Sequence, residues 1–174
     1  MQTPAILPQI TGPVEAEWLL STWRLECQSL PAVQALTPST ENELMALFTY
    51  ILSDKGDVNV DHQDLWEVLV GATALQFSSA TSQGSNRAEV AGQQLWATSA
   101  VLGDATLPAH RLLLVIQSGT NAELEMDELT QLVEGMVHQA GDQAEVVFGH
   151  GLNPALGERI QVLMLVSRNE GRIV

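Results

Sequence analysis

A chain of 174 residues with 45% hydrophobic content can bury one sizeable core and carry a short arm, but two full domains would be cramped. Its 21 acidic and 7 basic side chains leave a formal charge of -14, which repels phosphate backbones and anionic bilayers. Arg24, Lys55, Arg87, Arg111, Arg159, Arg168 and Arg172 form no basic run, so neither nucleic acid nor a membrane surface is expected as a partner.

Cys27 is the single cysteine, which excludes an intrachain disulfide, and nothing around it has metal-ligand or redox spacing. The start "MQTPAILPQITGPVEAEW" has no basic leader and no long apolar stretch, and no window approaches the roughly 18 apolar residues of a membrane span. A soluble cytoplasmic protein is the expectation.

Residues 1–12 are rich in Pro, Gln and Thr without a period. A helix is predicted from Pro13 to about Leu30, with Val14, Trp18, Leu19, Thr22 and Leu25 near one stripe. After the break "PAVQALTPST", Thr40 and Glu43 have capping-box spacing. Leu44, Leu47, Phe48 and Ile51 then recur at i, i+3, i+4 and i+7, which predicts a helix to about Asp54. Leu65, Val68 and Leu69 predict a short helix, and "ATALQFSSA" alternates as a strand does.

Asn86 and Glu89 repeat the capping spacing ahead of a helix whose inward stripe is Ala88, Ala91 and Leu95. "LLLVIQ", residues 112–117, is a continuous apolar run of the kind a central, tightly packed strand carries. Residues 125–140 set Met126, Leu129, Val133, Met136, Val137 and Ala140 on one helical face, with Asp127 and Glu128 in the first turn where the helix dipole favours anions. "AEVVFGHG" and "RIQVLMLVS" are closing strands around the turn "LNPALGE". The order strand, helix, strand, helix, strand, strand predicts an α/β fold: a two-layer sandwich of a mixed β-sheet with helices packed on one face, preceded by an N-terminal helical segment.

One loop carries chemistry. "NVDHQDL" places Asn59, Asp61 and Asp64 just ahead of the short helix, with no Gly-rich phosphate cradle beside it. Two aspartates, anionic at neutral pH, can orient a water or a hydrated cation, and an asparagine donates and accepts without adding charge. The same spacing also suits an Asx turn with Asp61 as the helix N-cap and Asp64 in the first turn. A metal reading of Asp61, His62 and Asp64 lacks a second His or Cys at suitable spacing, so no metal and no cofactor are expected. His110, His138 and His150 are scattered, and Ser78, Ser79 and Ser82 have no Gly-x-Ser-x-Gly elbow. "SGTNAEL" could hold an anion on its backbone amides, but Glu123, Glu125 and Asp127 flank it.

Order and motifs together resemble the carboxy-terminal half of FtsZ, the tubulin-related cell-division protein, from about Glu43 to Arg168. "NVDHQDL" is similar to that family's synergy loop, Asn-x-Asp-x-x-Asp. "GSNRAEVA" resembles its Gly-x-Asn-Arg-Ala helix start, "LLLVIQSGTN" its strand ending in Gly-Thr-Asn, and "VVFGHGLNPALGERIQVLMLV" its last two strands.

The resemblance implies four parts: a partly helical extension over 1–39, a connecting helix over 40–54 like the end of the family's central helix, a C-terminal-like domain over 55–168 and a tail over 169–174. His62 and Gln63 depart from the apolar and small residues usual inside the loop. The family's amino-terminal GTPase domain and its Gly-Gly-Gly-Thr-Gly-Thr-Gly loop have no counterpart here, nor do its terminal linker and tether-binding peptide after Val174.

By resemblance, Asn59, Asp61 and Asp64 act in trans, entering the nucleotide site of a full-length FtsZ or FtsZ-like GTPase, with His62 on the same interface. The implied role is that of a non-enzymatic interaction protein that caps or modulates filaments. Self-association stays open. The alternative is a scaffold module that keeps the fold and meets another partner, for instance through Trp18 and Trp23 of the leading helix.

Overall fold

The computed structural model describes residues 17–22, 25, 38–52, 60 and 62–169. A helical segment at 17–22 is followed by α1 (Pro38–Leu52) and α2 (His62–Leu69). Then come β1 (Ala74–Gln83), α3 (Arg87–Ala97), β2 (Ala100–Leu102), β3 (Ala109–Ser118), α4 (Met126–Ala140), β4 (Glu145–Leu152), a 3-10 turn (Pro154–Leu156) and β5 (Arg159–Arg168). The strands form one mixed sheet in the order β2-β1-β5-β3-β4. β5 runs antiparallel to both β1 and β3, and β4 lies parallel to β3 after the α4 crossover.

The apolar run of β3 has the place it predicts, between β5 and β4. Leu112, Leu114 and Ile116 face one side of the sheet, where Ile160, Val162, Met164 and Val166 of β5 join Ala88, Ala91 and Leu95 of α3 and Leu132 and Met136 of α4. This is the expected sandwich, and its helices end as their sequences require. Gly141 closes α4 in the left-handed region at φ 107°, donating its N–H to Val137 and His138 carbonyls.

Leu113 and Val115 point the other way, with Leu75, Phe77, Leu163 and Leu165. The expectation of helices on one face alone stops short here, because the leading elements cover this second face. Leu19 and Leu20 of segment 17–22, Leu44, Leu47 and Phe48 of α1, and Leu65, Val68 and Leu69 of α2 are all buried against it. Trp18 stacks on Trp66 of α2 with ring centroids 5.5 Å apart and an interplanar angle of 32°. The physical reason is the double-sided apolar pattern of β3 and β5: a strand whose odd and even residues are both apolar needs cover on both faces.

Two further details differ from the sequence reading. β2 is an additional edge strand of three residues, pairing Val101 with Gln76 across from β5. Asn86 does occupy the N-cap of α3 but makes no side-chain cap bond. Leu25, expected on the stripe of the leading helix, is 68% exposed; the rest of the helix predicted over 13–30 beyond residues 17–22, Trp23 included, lies outside the described residues.

Candidate functional site

α2 begins at His62, directly after Asp61 in sequence. Its inner stripe is anchored by Leu65, Val68 and Leu69, and Val60 just before it is buried in the same cluster. Asp64 therefore stands in the first turn of a helix fixed to the sheet, half-buried, at the end where the dipole favours a carboxylate. It is engaged with its surroundings rather than free. Gln63 bonds Glu67 one turn on, at 3.3 Å. Arg111 of β3 ties the far end of α2 down by donating to the Glu67 carbonyl at 2.9 Å. Of the four residues singled out in the loop, the structure places Asp64 and the backbone of His62. Asn59 and Asp61 lie outside the described residues, as does the His62 side chain.

A different group dominates the opposite end of the domain, and it is one that spacing could not reveal. Arg87, only 5% exposed, opens α3 and spends all five of its donors inside the protein. Nε and Nη2 grip Glu128 at 2.7 and 2.8 Å, Nη1 reaches the carbonyls of Ala122 and Glu158 at 2.9 and 3.0 Å, and Nη2 reaches Glu123 at 3.1 Å. The hydrogen bond from Arg87 holds Glu128 below the usual carboxylate range, and Glu128 in return keeps Arg87 charged. The arginine of "GSNRAEVA" is thus a clamp joining α3, the loop after β3, the first turn of α4 and the turn before β5. Its partner lies 41 residues away, so no local pattern marks the pair.

The loop "SGTN" offers no anion cradle. Ser118 is fully buried and accepts a hydrogen bond from the Leu124 N–H at 3.0 Å while bonded to His150 Nε2 at 2.9 Å. Burial depresses the basicity of His150, which favours the neutral ring. Gly119 lies so close to the residue that ends the 3-10 turn that a Cβ there would clash with the Gly157 carbonyl. Glu123 follows in the same loop, and Glu125, Glu128 and Glu158 line the adjoining surface with Arg87 and Ala122. Among the described residues there is no group of three or more His, Cys, Asp or Glu side chains that could hold a metal. No described helix is long and apolar enough to cross a membrane.

The five-stranded mixed sheet with its helices matches the C-terminal-like fold of FtsZ/tubulin-type structures. The homologues of the chain are FtsZ proteins. It is 27% identical over 141 residues to Cell division protein FtsZ 1 of Thermococcus kodakarensis, covering 80% of this chain and 37% of the relative. With FtsZ 1 of Pyrococcus horikoshii it shares 26% over 147 residues, covering 83% and 38%. With FtsZ of Buchnera aphidicola it shares 30% over 118 residues, covering 67% and 30%. The chain thus spans less than two fifths of the length of these relatives.

Among solved structures, an FtsZ mutant from M. jannaschii superimposes with a TM-score of 0.57 at 18% identity, over 74% of this chain and 39% of that one. An empty FtsZ dimer from M. jannaschii gives 0.55 at 14%, over 90% and 50%. GDP-bound CetZ1 from Haloferax volcanii gives 0.51 at 17%, over 75% and 39%. These likenesses carry the fold. No family model matches the chain.

Proposed function

We propose that this chain is a cytoplasmic interaction protein of the division machinery. It docks the face carrying Asn59, Asp61, His62 and Asp64 on the nucleotide face of a full-length FtsZ subunit and so caps or modulates the filament. Hydrolysis of a nucleoside triphosphate divides into two tasks, cradling the phosphates and holding a water in line with the γ-phosphorus, and the two can sit on different molecules. The observation that carries the reading is an Asn-x-Asp-x-x-Asp loop opening a helix anchored to the sheet, in a chain whose homologues are FtsZ and whose 174 residues include no Gly-rich phosphate loop.

On this reading Asp61 and Asp64 orient the attacking water or a hydrated Mg²⁺, and Asn59 holds it without adding charge. The chain is not itself an enzyme and at most completes hydrolysis in its neighbour. Seated there, it occupies the face that the next subunit of a heterologous filament would take. Sedimentation of GTP-loaded full-length FtsZ with increasing amounts of this protein is expected to show shorter polymers at amounts well below one per subunit. Unchanged polymer mass and length across the titration would remove the proposal.

The scaffold alternative, in which the leading helix meets another partner through Trp18 and Trp23, is less favoured at Trp18, which packs on Trp66 beside the buried Leu19 and Leu20; Trp23 lies outside the described residues. The Trp18 surface is already used to cover the sheet.

A further inference from the structure

The sheet ends on β4, and among the described residues no strand pairs with its outer edge. An open edge presents a row of backbone N–H and C=O groups, and folded proteins blunt it with shortness, a bulge, proline or lysine. The other edge of the sheet follows that rule, since β2 is three residues long. β4 does not. It runs for eight residues, "EVVFGHGL", in unbroken register with β3 from the Arg111–Glu145 pair to the Ser118–Leu152 pair, and carries neither proline nor lysine. Its carboxylate, Glu145, stands at the first position, so residues 146–152 are free of acid in a chain of net charge -14.

The side chains leave the second layer unfinished at this edge. Val146, Phe148, His150 and Leu152 lie on the α4 side of the sheet, abreast of Leu112, Leu114, Ile116 and Ser118. On that side Leu129, Val133 and Val137 of α4 pack on the core but stay partly exposed, as does Val146. Phe148, in the middle of the strand, is 45% exposed. A lone strand laid along β4 would satisfy the backbone and still leave Phe148 and the flank of α4 in water, because it brings no helix layer. What completes both layers is a sheet edge with a helix on the same side.

A second copy of this chain supplies that by symmetry. A two-fold axis perpendicular to the sheet sets β4 antiparallel to its mate, pairs like face with like face, and so places α4 on the same side in both copies. With Gly149 near the axis, Phe148 meets the partner's His150, Val146 the partner's Leu152 and Glu145 the partner's Asn153, so no carboxylate opposes a carboxylate across the ladder. The two α4 helices also run antiparallel, which directs the acidic first turn at Asp127 toward the last turn of the other copy. We propose that this chain forms a two-fold dimer through β4, joining two sheets into one and burying Phe148 at the seam. Being isologous, the contact closes on itself and uses up the edge that would otherwise recruit further strands. It uses no part of the 59–64 loop.

Sedimentation velocity of the full chain over a concentration series tests this. The expected result is a reversible monomer–dimer equilibrium that tightens as salt is raised, because the two bodies repel at their net charge while the seam is apolar. Phe148→Glu, at an exposed position, should keep Tm and weaken dimerisation about tenfold or more. Val101→Glu on the β2 edge adds the same charge at another exposed position and should leave dimerisation unchanged. Hydrogen exchange in β4 should slow with rising protein concentration, and exchange in β2 should not. A monomer at every concentration would overturn the proposal and leave the β4 edge to a strand of another protein. A dimer that survives Phe148→Glu, or one in which β4 exchanges no more slowly, would place the contact on another surface and overturn it equally.

Discussion

The two faces of the sheet are closed by different means. On one, α3 and α4 belong to the strand crossovers themselves, and the buried Arg87–Glu128 pair locks them to the loops at the strand ends. On the other, cover comes from elements earlier in the chain, the segment 17–22, α1 and the eight-residue α2, held by apolar contact and the Trp18–Trp66 stack. The first face is a self-contained domain core, whereas the second is where the leading segment and the helix of the candidate loop meet. The leading segment thus touches α2, the helix of Asp64, and not α3 or α4.

Removing the clamp is the strongest way to break this contrast. Arg87→Ala strands the Glu128 carboxylate and three carbonyls, and is expected to cost about 3–5 kcal/mol in chemical denaturation. Lysine at the same position should recover only part, having no fork for the bidentate grip. A loss under about 1 kcal/mol would mean that the pair is as weak as a surface ion pair. Next in size is Gly119→Ala, where the added methyl meets Gly157 backbone and one loop must move; a destabilisation of about 2 kcal/mol or more should appear in the same assay.

Trp18→Ala sharpens the contrast. It should cost about 1 kcal/mol and lower hydrogen-exchange protection in α1 and α2 while leaving α4 unchanged. Equal loss of protection in α4 would show that the two faces open as one unit.

The smallest effects are pH-dependent. His150 has a lowered folded pKa, so its contribution is fully present above the ordinary histidine value of about 6.5 and is lost as pH falls from there through the folded value. Glu128 is also lowered; its contribution holds above about 4.3, the ordinary glutamate value, and is lost as pH falls through the folded value. Tm against pH should thus step down twice on acidification. His150→Gln is expected to flatten the upper step and Glu128→Gln the lower one. An unchanged profile in both variants would contradict these assignments.

Much of this architecture was legible before any coordinates. Continuous apolar runs marked β3 and β5, and the stripe from Met126 to Ala140 marked α4, because period is a local property of sequence; Met126 itself is exposed, as burial depends on the whole fold. The covered second face was legible in principle from the same runs, but which elements cover it depends on long-range packing of Leu19, Phe48 and Leu65. β2 escaped because three residues at a sheet edge carry no period. The Arg87 clamp escaped because its partners are distant in sequence and mostly backbone carbonyls. In the candidate loop, spacing singled out four residues, and the structure describes the helical position of Asp64 and the start of α2 at His62.

The most direct measurement is steady-state GTP hydrolysis by a full-length FtsZ titrated with this protein and, in parallel, with its Asp61→Ala, Asp64→Ala variant. The account predicts that the wild-type chain changes the turnover rate and that the variant, folded to the same Tm within a degree or so, does not. A rate that moves equally with both proteins, or with neither, would contradict a role for the 59–64 loop in trans.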